Sequence, residues 1–392
     1  MQTWTPTRAT PPLLKRMNEQ TVLEAIRAGS PISRAEISRR AGISKPTVSL
    51  ALRSLLEAGL VRRATAPSGP SYGAVYFEPV PEAALILGVD LGARFLRGAV
   101  CDLAGETRAR QDVELGGVDA EVALDAIADL HAALVATTGL GADLVDGVVV
   151  GVPGVVEASG KLALAENVPG LEGRAFGEEL SDRLGLPVVL ENDVNLAALG
   201  EQWLGVAQGV DDFAFLSIGT GMGLGLVLGG NLHRGHHGAA GEVDYALVGL
   251  GVDVDPSGAS LPELTARMAG EGQTTSSLKP PYEGRTIFAA ARSGDPLAQA
   301  VVEEVARRIA LHVAAVSAVS DIALAVLGGG LGVNGDLLLD PVREQLTGWL
   351  PYPPRVEVSS LGEAAILTGA LAVGLRSALE NVFARRAGGV PA

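Results

Sequence analysis

The sequence predicts a mixed α/β protein in two parts, a small helical head followed by a longer body of alternating strands and helices. Three observations carry that expectation. Charge is divided unevenly: residues 1–65 hold 11 Lys/Arg and four Asp/Glu, a net of +7, while the rest of the 392-residue chain carries −22, giving −15 overall. Beyond residue 83, apolar strand-like runs alternate with Ala/Leu-rich helical runs. Two glycine-bearing hairpin patterns recur about 130 residues apart, which suggests two related lobes around a cleft.

Composition narrows the class. Hydrophobic residues are 47% and charged residues 19%, which excludes disorder for most of the chain. Aromatics are only 4%, so Ala, Val and Leu must fill the cores. A lone cysteine, Cys101, excludes a disulfide framework and any multi-cysteine zinc or iron–sulfur site. The most membrane-like stretch, Ile309 to Val333, is interrupted by His312, Ser317, Ser320 and Asp321 and runs through three glycines. It reads as a buried helix and then a buried strand. The N-terminus lacks a basic-then-apolar signal pattern, so a cytoplasmic protein without membrane association is expected.

Residues 14–78 read as a winged helix-turn-helix. Asn18 is a candidate cap for a first helix carrying Val22, Leu23 and Ile26 inward, with Gly29 at its end. Ser33 opens a second helix, and Glu36 stands three residues on as a capping-box partner. Gly42 supplies the turn. Ser44 then caps a third helix in which Pro46 is tolerated in the first turn. Val48, Ala51, Leu52, Leu55 and Leu56 line its inner face. Such a unit lays its third helix in the DNA major groove. Lys45, Thr47 and Ser49 are therefore candidate base or phosphate contacts, and Arg53, Arg39 and Arg40 candidate phosphate contacts. The same pattern suits a three-helix protein-interaction module. The hydroxyl-rich helix start and the positive balance favour DNA. The wing tip, residues 66–73, holds no Arg, so strong minor-groove insertion is not expected. Residues 79–83 read as a proline-flanked linker, and residues 84–380 as the body.

In the body, Gly88-Val89-Asp90-Leu91-Gly92 and Gly219-Thr220-Gly221-Met222-Gly223 sit in the two hairpins, where glycine amides can face a phosphate. Gly151-Val152-Pro153-Gly154 ends a buried strand. Glu191-Asn192-Asp193-Val194-Asn195 joins a strand end to a helix start, where α/β proteins place ligands. Asp193 is there either a general base or a helix cap.

These pieces together resemble the repressor, open-reading-frame and kinase (ROK) family, over roughly residues 14–378. The first phosphate loop is matched by Asp90 and Gly92, and the second by Gly219, Thr220 and Gly221. Glu166-Asn167-Val168-Pro169-Gly170 matches a sugar-side turn, and Asp193 stands at the kinases' catalytic aspartate. Gly238-Ala239-Ala240-Gly241-Glu242 precedes the family's sugar-binding histidine. Leu327-Gly328-Gly329-Gly330 matches a nucleotide-side turn. The resemblance implies a two-lobed, actin-like, sugar-kinase (ribonuclease H-like) ATPase-type fold, assembled as a homodimer or homotetramer. With a winged helix in front, it implies a repressor of a sugar operon, of the xylose or N-acetylglucosamine type.

The chain departs from the family's kinases at three places. Arg94-Phe95 replaces the first loop's Thr. The family's Glu-x-Gly-His reads Glu242-Val243-Asp244-Tyr245. Residues 252–260, where the family has a zinc knuckle, hold no cysteine. No zinc, no metal and no ATP cofactor are therefore expected, and kinase activity is not expected. Asp244, Asp253 and Asp255 are a remote alternative for a hard cation. His233, His236 and His237 read as polar surface. The expectation is a regulator that binds double-stranded operator DNA and is released by a monosaccharide in a degenerate kinase cleft. Asn167, Asn192, Asp193, Glu242, Tyr245 and Glu263 are the candidate effector residues. Asp90, Gly92, Gly219, Thr220, Gly221 and Gly329 remain as vestigial nucleotide loops. The alternative is an ATP-dependent sugar kinase with a DNA-binding appendage, in which Asp193 is the base.

Overall fold

The computed structural model describes residues 11–65, 74–117, 119–165, 168–246, 253–271 and 276–387. The head comprises α1 (Pro11–Arg27), β1 (Ile32–Ser33), α2 (Arg34–Ala41), α3 (Lys45–Glu57), β2 (Val61–Ala64) and β3 (Tyr76–Pro79). Its strands form an antiparallel sheet in the order β1-β3-β2. Local chemistry sets most of these boundaries. The Ser33 hydroxyl accepts from the Glu36 amide, Gly42 turns the chain at φ 66°, and the Ser44 hydroxyl accepts from the Thr47 amide. Two expectations fail here. Asn18 lies inside α1, because the helix already starts at Pro11, where proline is tolerated in the first turn. Glu36 does not close a capping box, because its carboxylate is taken by Arg39 and Arg40.

The first lobe follows: β4 (Leu85–Leu91), β5 (Phe95–Asp102), β6 (Thr107–Glu114), α4 (Ala120–Thr138), β7 (Val145–Val152), β8 (Val155–Val156), β9 (Leu162–Ala163), α5 (Phe176–Leu184), β10 (Val188–Asn192) and α6 (Asp193–Leu204). The second lobe holds β11 (Phe213–Ile218), β12 (Met222–Leu228), β13 (Asn231–Leu232), α7 (Leu261–Glu271), α8 (Gly284–Arg292), α9 (Pro296–Ser320), β14 (Leu324–Gly328), α10 (Gly329–Gly332), α11 (Gly335–Trp349) and β15 (Arg355–Val358). Finally α12 (Ala365–Ala387) returns to pack on β4, β7 and α6.

The duplication expected from the two hairpins is a topological fact. One sheet runs β6-β5-β4-β7-β10 and the other β13-β12-β11-β14-β15. In each, the first three strands form an antiparallel meander and the last two add in parallel. Between the lobes, α6 and α12 cross at two glycines. A Cβ on Gly200 would strike the Ala365 carbonyl, and one on Gly369 the Leu196 carbonyl. Only residues without a side chain permit that approach.

Residues 79–83 are not a free linker. Pro79 pairs with Val61 in the wing sheet, Val80 donates to the Leu60 carbonyl, and Leu103 donates to the Pro81 carbonyl. One hydrophobic cluster runs without a break from Val22, Ile37 and Leu55 in the head through Ile86 and Cys101 to Leu371 and Leu375 of α12. The head is thus seated on the first lobe and on α12. The stretch from Ile309 forms the end of α9 and then β14; β14 is buried throughout as expected, whereas Val319 near the end of α9 is 88% exposed. Among the described residues one helical stretch, Gly362–Leu379, is long and apolar enough to cross a membrane. Its inner face packs within the body instead.

Candidate functional site: a two-lobed cleft and a helical DNA-facing surface

The parallel strands of both sheets end at the cleft. Three adjoining cavities line it, of roughly 280, 540 and 550 Å³. The first is walled by Pro153, Gly154 and Leu164 on one side and by the Gly219–Gly223 turn on the other, with Asn192, Asp193 and Glu242 between them. Leu164 has a positive φ of 56° and is exposed, a strained non-glycine residue on the rim. The second cavity is lined by Asp90, Arg97, Asp193, Arg285, Gly329 and Glu363, among others. Asp193 therefore stands at the junction of the two.

Asn192 caps α6: its Oδ1 accepts from the Asn195 amide at 2.9 Å and its Nδ2 donates to the Gly154 carbonyl at 3.0 Å. Asp193 is the first helical residue rather than the cap. Burial pushes its carboxyl up to about 7, and the neighbouring Asp90 and Glu242 carboxylates add to the shift. Burial likewise raises Asp90 to about 6, against the opposing pull of Arg97. Glu242 is raised by burial and by Asp244. Such a cluster of acids presents both donors and acceptors near neutral pH, the pairing that a sugar hydroxyl needs.

Of the expected effector residues, Asn192, Asp193 and Glu242 meet in one cavity. Tyr245 does not join them. It is 63% exposed on a short 3-10 turn and lines none of the three cavities, because Val243 takes the inward position of that turn. Glu263 also points away: it is exposed in the first turn of α7, whose buried residues are Leu261, Leu264 and Thr265. Asn167 lies outside the described residues, as does the wing tip 66–73. Gly219, Thr220 and Gly221 line the first cavity, and Asp90 and Gly329 the second. Gly92 lines neither, since its amide closes the β4–β5 turn onto the Phe95 carbonyl at 2.9 Å.

Arg97 was missed by sequence reasoning, although the hairpin register places it opposite Asp90. Its guanidinium lies 3.2 Å from Asp90 and 3.2 Å from Glu363. The cation therefore sits on the aspartate of the first loop. Where a zinc knuckle would stand, Arg308 of α9 is fully buried. It donates to the Asp255 carbonyl at 2.6 Å and pairs with Asp253 at 2.8 Å. His312, one turn on, meets the Val254 carbonyl at 3.2 Å. Asp255 is occupied by the Ser257 amide and hydroxyl. Asp253 and Asp255 are thus committed to the protein. Among the described residues no acidic or His/Cys cluster has metal-binding geometry. The strap continues to the cleft, where Gly258 donates to the Gly219 carbonyl and Ala259 to that of Thr220.

On the head, α3 presents Lys45, Leu50 and Arg53 outward. The hydroxyls expected at base edges are engaged internally. Thr47 Oγ1 bonds Ser44 Oγ at 2.8 Å, and Ser49 Oγ donates to the Lys45 carbonyl at 2.8 Å. Arg34, also missed, donates to Ser49 at 3.3 Å. Arg39 and Arg40 remain exposed but are paired with Glu36, so a phosphate must compete for them.

Comparison with known proteins matches this architecture. The ROK family model matches residues 86–377, and the MarR family model residues 14–69. The chain is 27% identical to a xylose repressor of Caldicellulosiruptor bescii, over 92% of this chain and 96% of the relative. It is 31% identical to a glucokinase of Streptomyces coelicolor, over 73% of this chain and 96% of the relative. A solved ROK family glucokinase from Streptomyces griseus, in complex with glucose and AMPPNP, is 30% identical, covers 75% of this chain and all of its own, and superposes with a TM-score of 0.60. A solved ROK family transcriptional regulator, 23% identical, covers 95% of this chain and 99% of its own with a TM-score of 0.79, and so shares the fold from head to tail. With a MarR-type winged helix joined to a duplicated actin-like body matched over most of its length, the chain belongs to the ROK family.

Proposed function

We propose that the chain is a sugar-responsive transcriptional repressor whose winged helix binds operator DNA and whose cleft takes a monosaccharide effector. The observation that carries this reading is the continuity of the hydrophobic core from the head to α12, the helix that crosses α6 at the cleft. The named xylose repressor, similar along nearly the whole chain, supports the same reading. The sugar binds between Asn192, Asp193 and Glu242. It is held without zinc or ATP: Arg308 and His312 occupy the strap, and Arg97 neutralises Asp90. Homodimers set two heads at the spacing of a palindromic operator.

The route between the sites is short. α6 starts at Asp193 in the cleft and spans 12 residues, about 18 Å. Near its end, Trp203 lines a cavity shared with Arg27 of α1 and with Leu375 and Arg376 of α12. A sugar that draws the lobes together tilts this rod under the head. A coupling of about 1–3 kcal/mol would lower DNA affinity 5- to 150-fold.

A kinase reading is favoured by one observation, the Asp193 carboxyl at about 7 in the cleft, a value suited to a general base. Fluorescence anisotropy on the DNA upstream of the chain's own gene, at fixed salt, separates the two. Tight binding released by one of a panel of pentoses, hexoses and amino sugars is the expected result. ATP turnover abolished by Asp193→Asn, without specific DNA binding, would replace the regulator with the kinase.

A further inference from the structure

We propose that Leu50 reads the 5-methyl group of a thymine in the operator. The proposal rests on the DNA-binding reading above and assigns a specificity residue within it.

The outward stripe of α3 is Lys45, Pro46, Ser49, Leu50 and Arg53, one residue or pair per turn. Leu50 is at its centre and is 63% exposed. An exposed leucine alone says little. Its neighbours make it informative. The Ser49 hydroxyl already donates to the Lys45 carbonyl and accepts from Arg34, and the Thr47 hydroxyl is bonded to Ser44. The Thr47 and Ser49 hydroxyls are thus engaged within the head. What the middle of the helix offers a groove is a branched apolar surface. In the major groove, the methyl of thymine is the apolar feature that distinguishes one base pair from the others. Lys45 before it and Arg53 after it supply charge for phosphates and purine acceptors. Leu50 then supplies discrimination by packing alone.

The test uses the full chain. Binding sequences are selected from a random duplex pool, and each thymine of the resulting consensus is replaced singly by deoxyuridine. Affinity is read by anisotropy at one salt concentration. The expected result is one thymine per half-site whose demethylation costs about fourfold, the factor for one buried methyl group. Leu50→Ala should lose the same factor on the thymine duplex and show no further loss on the deoxyuridine duplex. Leu50→Met, which keeps the apolar volume, should retain the thymine preference. Since Leu50 is exposed, both variants should melt with the parent chain, which serves as the folding control.

Sensitivity to deoxyuridine that is equal in Leu50→Ala and the parent would overturn the proposal. So would an enriched consensus with no sensitive thymine, which would instead assign Leu50 to the neighbouring groove with Leu14 and Ala51. A pool without any enriched sequence would overturn the regulator reading itself.

Discussion

Arg308 is the residue whose removal tests the cleft architecture most directly. Its side chain is fully buried, and it joins α9 to residues 253–260, the strap whose Gly258 and Ala259 amides donate to the Gly219 and Thr220 carbonyls of the first cavity's wall. Three terms decide the cost of Arg308→Ala. The Asp255 carbonyl loses its guanidinium donor, a bond worth about 1 kcal/mol because the Ser260 hydroxyl still donates to that oxygen at 2.6 Å. The lost side chain leaves a void on the buried face of α9, which adds to the penalty. Against these stands relief from burying a cation. The ion pairs themselves contribute little, because Asp253 is half exposed and Glu304 keeps Arg307 at 2.7 Å. The net is about 2–4 kcal/mol, below the roughly 3–5 kcal/mol for breaking a wholly buried pair. Arg308→Met keeps the volume and removes the charge, so its cost should stay near 1 kcal/mol. Both variants loosen residues 253–260 on α9, leaving the His312 contact to the Val254 carbonyl in place, and should lower sugar affinity several-fold, since Gly219 and Thr220 are bonded to that strap. Urea unfolding followed by tryptophan fluorescence, with sugar calorimetry beside it, measures both quantities. An Ala variant that costs less than about 1 kcal/mol and binds sugar unchanged would refute the reasoning.

Three further outcomes are expected. Asp193 titrates near 7 when folded and near 3.8 when unfolded, so its protonated form contributes stability that is complete below pH 4 and lost as pH rises through 7. Asp193→Asn should therefore match the parent at pH 4 and exceed it at pH 8 by on the order of 2–4 kcal/mol, and a melting profile with the same pH slope in both chains would refute this. Gly369→Ala drives a methyl into the Leu196 carbonyl at the α6–α12 crossing and should cost about 3 kcal/mol or more, whereas an unchanged melting curve would show that the helices can separate. Ser33→Ala removes the acceptor for the Glu36 amide and should destabilise the head by about 1 kcal/mol, seen as faster amide exchange in α2 with the body unaffected.

What the sequence determined by itself was everything carried by local chemistry and periodicity. Ser33 and Ser44 cap their helices by accepting from amides three positions on, and Gly42 turns the chain through its own left-handed backbone, so composition at those sites is enough. The two glycine hairpins disclosed the duplicated lobes because β4–β5 and β11–β12 are each adjacent in sequence. Asn192 and Asp193 stood out because a strand end meets a helix start there, and Glu242 through the resemblance to the family; the fold brings the three to one cavity. The tertiary structure decided which side of a turn faces the cleft. Tyr245 and Glu263 stand outside because Val243, Leu261 and Leu264 take the buried positions of their segments. Proline-rich residues 79–83 looked like a linker, but their backbone groups are spent on the wing and on Leu103. Arg308 reads as surface charge in any window of sequence. Only the fold brings to it the Asp255 carbonyl, 53 positions away, and with it the partner that makes a buried cation tolerable.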